Sequence, residues 1–157
     1  MSAPVLSLYR RITRWPAGHW LFSRLVCLKA PYFATIAPRF VALVPGRCEV
    51  RIRDRRRVHN HLGTVHAIAL CNLAELSAGV MTDATVPADM RWIPKGMSVE
   101  YLKKAVGTLH GVATPETSAP VAAAAHEWPV RVEVTDHAGE TVFRARVLMW
   151  VSPRKRG

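Results

Sequence analysis

The sequence predicts an α+β domain in which a curved antiparallel sheet wraps one long central helix. Three observations predict it. Val65 to Met81 keeps helical periodicity over several turns. Two extended segments precede it and four follow, several of them alternating apolar and polar residues at the period of a strand. Half of the 157 residues are hydrophobic, which suits one domain with its own core and excludes a mostly disordered chain.

Residues 1–30 read as an N-terminal helical extension in two pieces. Val5, Leu8, Tyr9 and Ile12 share a face, Arg10, Arg11 and Arg14 lie elsewhere, and Trp15-Pro16 breaks the run. His19 to Leu28 continues with Trp20, Leu21, Leu25 and Leu28. A basic amphipathic entry of this kind could lie on a membrane surface. Packing over an open edge or mouth of the domain is the simpler expectation, because the apolar face then needs only its own core. Arg24, Lys29 and Pro31 interrupt the stretch from Trp20 to Ala37, which argues against a spanning helix. No signal-peptide layout closes it.

Residues 31–152 form the main domain. Phe33 to Val44 and Arg47 to Arg53 read as strands around the turn Pro45-Gly46. In the second, Cys48, Val50 and Ile52 alternate with Arg47, Glu49, Arg51 and Arg53, giving one dry and one wet face. A loop from Arg55 to Gly63 leads to the long helix, with Thr64 as its expected N-cap. Val65, Ala69, Leu73, Leu76 and Val80 make an apolar stripe, and Cys71, Asn72, Glu75, Ala78, Gly79 and Thr82 a small or polar one. After a loop holding Pro87 and Pro94, Met97 to Ala105 and Thr108 to Ala113 read as strands around Val106-Gly107. An Ala/Pro-rich connection, Pro115 to Ala125, precedes a hairpin. There Val130, Val132 and Val134 alternate with polar residues, Asp136 to Gly139 turns, and Thr141 to Ser152 returns. Residues 153–157 are a basic tail.

The 22 basic and 11 acidic residues leave a net charge of +11, which suits nucleic acid, an anionic membrane or phosphorylated small molecules. The cations are mostly Arg and spread along the chain, as coding-base composition alone can produce. The Trp residues are not interleaved with the basic run and no nucleic-acid motif is present, so nucleic acid is not the expected partner. Cys27, Cys48 and Cys71 are odd in number and widely spaced. They support neither a disulfide framework nor a metal site, and fit a reducing cytoplasm.

Chemistry concentrates in Asn60-His61-Leu62-Gly63-Thr64-Val65-His66-Ala67, followed on the same helix by Glu75. The loop delivers an amide side chain, and Gly63 permits a tight backbone approach. The first N–H groups of the helix have no internal partner and, with the positive end of the dipole, suit an oxyanion developing on an attacked carbonyl. Glu75 supplies the carboxylate that acyl hydrolysis needs, as base for a water or as direct nucleophile. His66 and Glu75 are nine residues apart, hence about half a turn out of phase and roughly 13 Å apart. One helix therefore cannot aim both at one carbonyl, whereas two antiparallel copies about a two-fold axis can.

The pattern Asn60-x-x-Gly63-Thr64-x-His66-Ala67, with an acidic residue eight positions after Ala67, resembles the signature of hotdog-fold thioesterases. The likeness is to the phenylacetate-pathway and human thioesterase-superfamily-member type, and more closely to a bacterial thioesterase-like subgroup. It covers roughly residues 31–151, including Met97 to Ala105 and the Asp136 to Gly139 turn, and does not reach the first thirty. It implies a hotdog fold and hydrolysis of an acyl group carried on coenzyme A or a carrier protein. Asn60, the Ala67 amide and Glu75 would act in catalysis, with His66 lining or ordering the site and Gly63 and Thr64 beside the substrate. The family usually has Gly at the position of Ala67 and often Asp at that of Glu75. Some relatives also carry a Ser or Thr just before the strand that follows the helix; here Ile93-Pro94 occupies that region.

Arg55, Arg56 and Arg57 could grip the phosphates of coenzyme A, with Lys103 and Lys104 as a second set; a solvated basic face is the plain alternative. The two-fold arrangement calls for a homodimer, and the sequence does not decide between a dimer and a tetramer; coenzyme A enters only as part of the substrate, and no metal or redox cofactor is implied. The rival readings are a module that binds acyl-CoA or acyl-carrier protein without turnover and, further off, a charge-driven nucleic-acid binder.

Overall fold

The structure is a computed structural model and describes residues 4–120 and 124–154. Helices α1 (Pro4–Ile12) and α2 (Gly18–Lys29) lead into a short 3-10 segment, Pro31–Ile36. Strands β1 (Arg39–Val44) and β2 (Arg47–Ile52) follow. A single 3-10 turn, Arg56–Val58, then precedes the central helix α3 (Ala67–Thr85). Strands β3 (Met90–Tyr101), β4 (Leu109–Pro115), β5 (His126–Thr135) and β6 (Thr141–Pro153) complete the chain.

The strands form one six-stranded antiparallel sheet in the order β1-β2-β4-β5-β6-β3. Helix α3 touches all six of them, so the sheet curls around it in the expected hotdog arrangement. A helix so enclosed must be apolar or small on nearly every side. Most of both stripes of α3 is accordingly buried, from Leu73 and Leu76 on one to Asn72, Ala78 and Thr82 on the other, while Glu75 of the second is exposed. Buried Ser77 and Thr82 donate to the carbonyls of Leu73 and Ala78 one turn earlier, the second at 2.7 Å, which leaves neither hydroxyl stranded.

The depth of α3 in the sheet is set at Gly111 of β4. A Cβ there would fall 3.0 Å from Cγ of Leu73, so the helix rests on bare backbone.

The N-terminal helices cover the β1 edge, as the simpler of the two expectations held. Tyr9 donates its hydroxyl to the Val41 carbonyl at 3.3 Å, and the Phe40 N–H donates to Oγ of Ser23 at 2.9 Å. The Phe22 ring meets Tyr9 and Phe40 edge-on, at centroid distances of 5.0 and 5.1 Å. Leu6, Tyr9 and Phe22 lie in the same buried cluster as the sheet. Among the described residues no helix is long and apolar enough to cross a membrane.

Several boundaries differ from expectation, each for a local reason. The strand expected from Phe33 begins at Arg39, because Pro31 opens a 3-10 turn and Ala37, at φ +44°, ends it before Pro38. The strand expected from Met97 begins at Met90 and ends at Tyr101, before Ala105. Pro94 lies inside it, tolerated because β3 is an edge and its pairing slips between Pro94 and Gly96. Ile93-Pro94 is therefore within this strand and not ahead of it. The basic tail is tied down at its start: the Arg154 backbone N–H donates to the Asp89 carbonyl at 2.8 Å and its Nε to that of Met90 at 2.9 Å. Residues 155–157 of that tail, and 121–123 of the Ala/Pro-rich connection, lie outside the described residues.

Replacing Gly111 by Val should force Leu73 off its seat and lower unfolding stability by about 1–3 kcal/mol. Denaturant titration checks this, and an unchanged midpoint would show that α3 does not depend on that approach.

Candidate active site

Two chain segments are stitched together ahead of α3. Asp54 accepts from Nε2 of His59 and, at 2.7 Å, from the Gly107 N–H. The Val65 N–H donates to the Ala105 carbonyl at 2.9 Å, and the His66 N–H to that of Val58 at 2.8 Å. The loop tip is built around Asn60. Its Oδ1 accepts from the N–H groups of Leu62 and Thr64, at 2.9 and 3.2 Å, and its Nδ2 donates to Oγ1 of Thr64 at 2.9 Å. Gly63 takes the positive φ of +74° that closes the turn. Asn60 thus spends its carbonyl and one N–H on the loop, leaving one side-chain N–H.

The helix begins two residues later than a Thr64 cap would place it. His66 is the N-cap: its backbone is extended and its Nδ1 accepts from the Ile68 N–H at 3.0 Å. Thr64 cannot serve, because its hydroxyl holds Asn60 and the chain stays extended through the bridge between His59 and Val65. The N–H groups of Ala69 and Leu70 both turn to the His66 carbonyl. Among the described residues only Ala67 of this first turn has an N–H without a partner. Since a backbone N–H can only donate, Nδ1 of neutral His66 must be the bare nitrogen and Nε2 carries the hydrogen. The tip therefore presents two donors, the Ala67 amide and His66 Nε2.

The face of α3 that starts here runs through Ile68, Asn72, Glu75 and Gly79, at helical spacing. It lines two hollows in succession. The first, about 160 Å³, lies at the helix tip, with Arg57, His59, His66 and Asn72 in its wall and Tyr32 and Thr35 opposite. The second, about 310 Å³, is walled largely by apolar groups, among them Val26, Phe33, Leu76, Val80 and Trp92, and Glu75 stands in its lining. Glu75 is exposed and, among the described residues, has no cation or donor paired with it. Val5 and Val26 of the N-terminal helices form part of this wall, so the extension helps to build the pocket. Glu75 lies eight residues beyond Ala67 on one unbroken helix, about 12 Å along its axis.

Asn72 went unmarked as a site residue in the sequence. It is buried, its Nδ2 donates to Oγ1 of Thr35 at 3.0 Å, and its Oδ1 has no partner. A buried carbonyl oxygen without a donor, in the wall of a hollow, is placed to accept from a ligand or water. The signal was there: Asn72 lies one turn before Glu75 in an otherwise apolar stretch.

The Arg55–Arg57 run splits. Arg57 donates to the Ala34 carbonyl at 2.6 Å and faces the tip hollow, Arg56 is exposed and unpaired among the described residues, and Arg55 turns to a different recess under α2. Lys103 is held by Glu140 at 2.7 Å, whereas Lys104 is exposed and has no ion pair among the described residues. Both precede Ala105 and so lie beside the stitched loop. Among the described residues no three His, Cys, Asp or Glu side chains gather as metal ligands.

The family described as "Domain of unknown function (DUF4442)" matches residues 18–151. No curated protein matches the chain. Among solved structures, the structural-genomics target APC5556 is 46% identical over 97% of this chain and 98% of its own, with a TM-score of 0.81. The thioesterase HI1161 of Haemophilus influenzae shares the fold at a TM-score of 0.70, with 12% identity over 80% of this chain and 85% of its own. A thioesterase family protein from Silicibacter pomeroyi does so at 0.72, with 16% identity over 84% and 96%.

The stitch should be visible in acid. Burial pushes the Asp54 carboxyl up, but the His59 hydrogen bond, the Gly107 N–H and the His59 charge outweigh it and hold its pKa below the usual carboxylate range. A depressed folded pKa gives stability that is present above about pH 4 and lost as pH falls through the folded value. Asp54→Asn should therefore cost about 2 kcal/mol at neutral pH. The gap from wild type should close below about pH 4. Chemical denaturation across pH checks this, and a constant gap down to about pH 2 would contradict it.

Proposed function

Because the chain belongs to the DUF4442 family and carries the hotdog fold of the thioesterase neighbours, we propose that it hydrolyses acyl-CoA thioesters as a symmetric homodimer. One observation carries the reading: an unpaired carboxylate, Glu75, stands in the lining of an apolar pocket, on the same helix face as a tip whose first amide is open. Acyl transfer asks for those three parts, an apolar hold for the acyl chain, a base or nucleophile, and a preset donor for the oxyanion.

In the water-activated route, Glu75 takes a proton from water as its oxygen bonds to the thioester carbon. The Ala67 N–H and the helix dipole, with His66 Nε2–H alongside, hold the oxyanion. Collapse breaks the C–S bond, Glu75 returns the proton to the leaving thiolate, and the products are the free acid and the thiol. In the alternative route the carboxylate itself attacks, expelling the thiolate, and water then cleaves the mixed anhydride. Asn60 acts by fixing the loop and by its remaining N–H; Gly63 and Thr64 shape the same entry. Arg57, in the wall of the tip hollow, with the exposed Arg56 and Lys104, would take the substrate phosphates.

The roughly 12 Å between Ala67 and Glu75 exceeds what one carbonyl can bridge, so a second copy supplies the other half. Strand β3 supports this. It is a twelve-residue edge with exposed Ile93, Met97 and Tyr101, the kind of edge that pairs with another strand. Dimers could pair further into tetramers. The three unpaired thiols fit a cytoplasmic setting.

A panel of acyl-CoAs with a thiol-reactive dye tests the proposal. Wild type should release thiol, and Glu75→Gln should reduce the rate by about 100-fold or more. Release no greater than that of the variant at every chain length would favour a module that binds acyl-CoA without turnover. Chain length itself should respond to Gly79, where an added Cβ would lie 3.0 Å from the Trp92 ring. Gly79→Leu should lower kcat/KM about 10-fold or more for the longest good substrates and spare the shortest. Equal losses at all lengths would place the acyl chain elsewhere.

A further inference from the structure

The outer face of β1 and β2 carries cations that no described residue neutralises. Arg39 and Arg51 are directly opposite each other in the β1–β2 register. Arg53 follows Arg51 on the same side, Arg55 continues past the strand, and α2 lays Trp20 and Arg24 alongside. The five guanidinium groups line a recess of about 270 Å³. Among the described residues none of the five is in an ion pair. Arg47, on the same strand but outside the recess, is instead matched by Glu49 at 2.9 Å.

Like charges directly opposite across a strand pair are destabilising, and five in one hollow compound the effect. The sequence tolerates this arrangement where a carboxylate two residues along would have relieved it, as Glu49 does for Arg47. Guanidinium forks match phosphate oxygens two at a time, and several converging on one hollow suit clustered phosphates better than a single carboxylate. Trp20, 54% exposed, stands in the lining of the recess. It also borders a shallower hollow with Trp15, Leu21 and Arg11.

We propose that this recess is a binding site for a ligand bearing clustered phosphate groups, separate from the acyl pocket and independent of thioester hydrolysis. Two sources share that chemistry. One is a soluble pyrophosphate ester, such as the nucleotide end of coenzyme A, with its base against Trp20. The other is an anionic phospholipid surface, whose neighbouring headgroups present their phosphates side by side, with Trp15, Trp20 and Leu21 entering the interface.

Thermal unfolding of the full chain, at matched ionic strength, tests the site with three probes. These are inorganic pyrophosphate, coenzyme A, and phosphatidylglycerol vesicles against phosphatidylcholine ones. Wild type should gain about 5–10 °C in Tm at roughly 100 times Kd of a binding probe. Arg39→Gln/Arg51→Gln should melt no lower than wild type without a probe, since a repulsion is removed, and should lose the response to pyrophosphate and to phosphatidylglycerol, keeping with coenzyme A only the part that the acyl site supplies. Arg47→Gln, outside the recess, should keep it. A response to pyrophosphate and coenzyme A supports the site with a soluble ligand, and one confined to phosphatidylglycerol supports it with a lipid. No response beyond sodium chloride for any probe, or an undiminished response in the double variant, overturns it. Glu75→Gln should respond as wild type does, so failure of the hydrolase proposal and failure of this one are told apart.

Discussion

Leu73 rests on the bare backbone of Gly111, and that contact sets how far α3 sinks into the sheet. The helix can then touch all six strands, and its orientation is no longer free. Everything proposed for function is measured from that axis. Its tip is held against Val58, and the residue before it against Ala105, by two backbone hydrogen bonds. Its buried hydroxyls turn back on their own helix and need nothing from the sheet. What remains polar and unsatisfied on α3 stands out for that reason. The Ala67 amide, the Asn72 carbonyl oxygen and the Glu75 carboxylate all border the two hollows or the tip.

The N-terminal helices do two things with one set of contacts. Tyr9 and Ser23 answer backbone groups of β1, the strand that would otherwise be an open edge. Val5 and Val26 then stand over α3 and close the apolar pocket. The opposite face of α2, with Trp20 and Arg24, is left to the cationic recess. Helix α2, which the family match includes although the sequence resemblance was expected to begin only at residue 31, thus shapes both hollows that flank it.

The fold was legible in the sequence because each element obeys one period. Alternation in β2 and in the final hairpin, and an apolar helix between strands, leave little choice of architecture. Legibility failed where a side chain chose between competing local bonds. Thr64 looked like a cap, yet Asn60 claims its hydroxyl and His66 caps in its place. Pro94 looked like a loop residue, yet an edge strand with a slipped register accommodates it. Phe33 looked like strand, yet Pro31 and Pro38 confine it to a tight turn. The site was legible in type and less so in membership. Glu75 and the tip follow from helical spacing, whereas the burial of Asn72 depends on Thr35, thirty-seven residues away. The Arg55–Arg57 run reads as one patch, but a 3-10 turn sends its ends to different hollows. The cationic recess joins β1, β2 and α2, and no linear pattern announces it.

The central claim is that a carboxylate and an open helix tip from two copies make one site. Mixed dimers of two inactive variants test it most directly. Glu75→Gln removes the carboxylate. Ala67→Pro removes the open amide with little cost to the helix, since proline fits the first helical position and His66 already has the extended backbone that a following proline requires. Each variant alone should be inactive toward acyl-CoA. Random mixing makes half the dimers mixed, each with one complete site of two, so the account predicts recovery of about a quarter of wild-type activity. Mixed dimers that form and stay as inactive as either parent would contradict it.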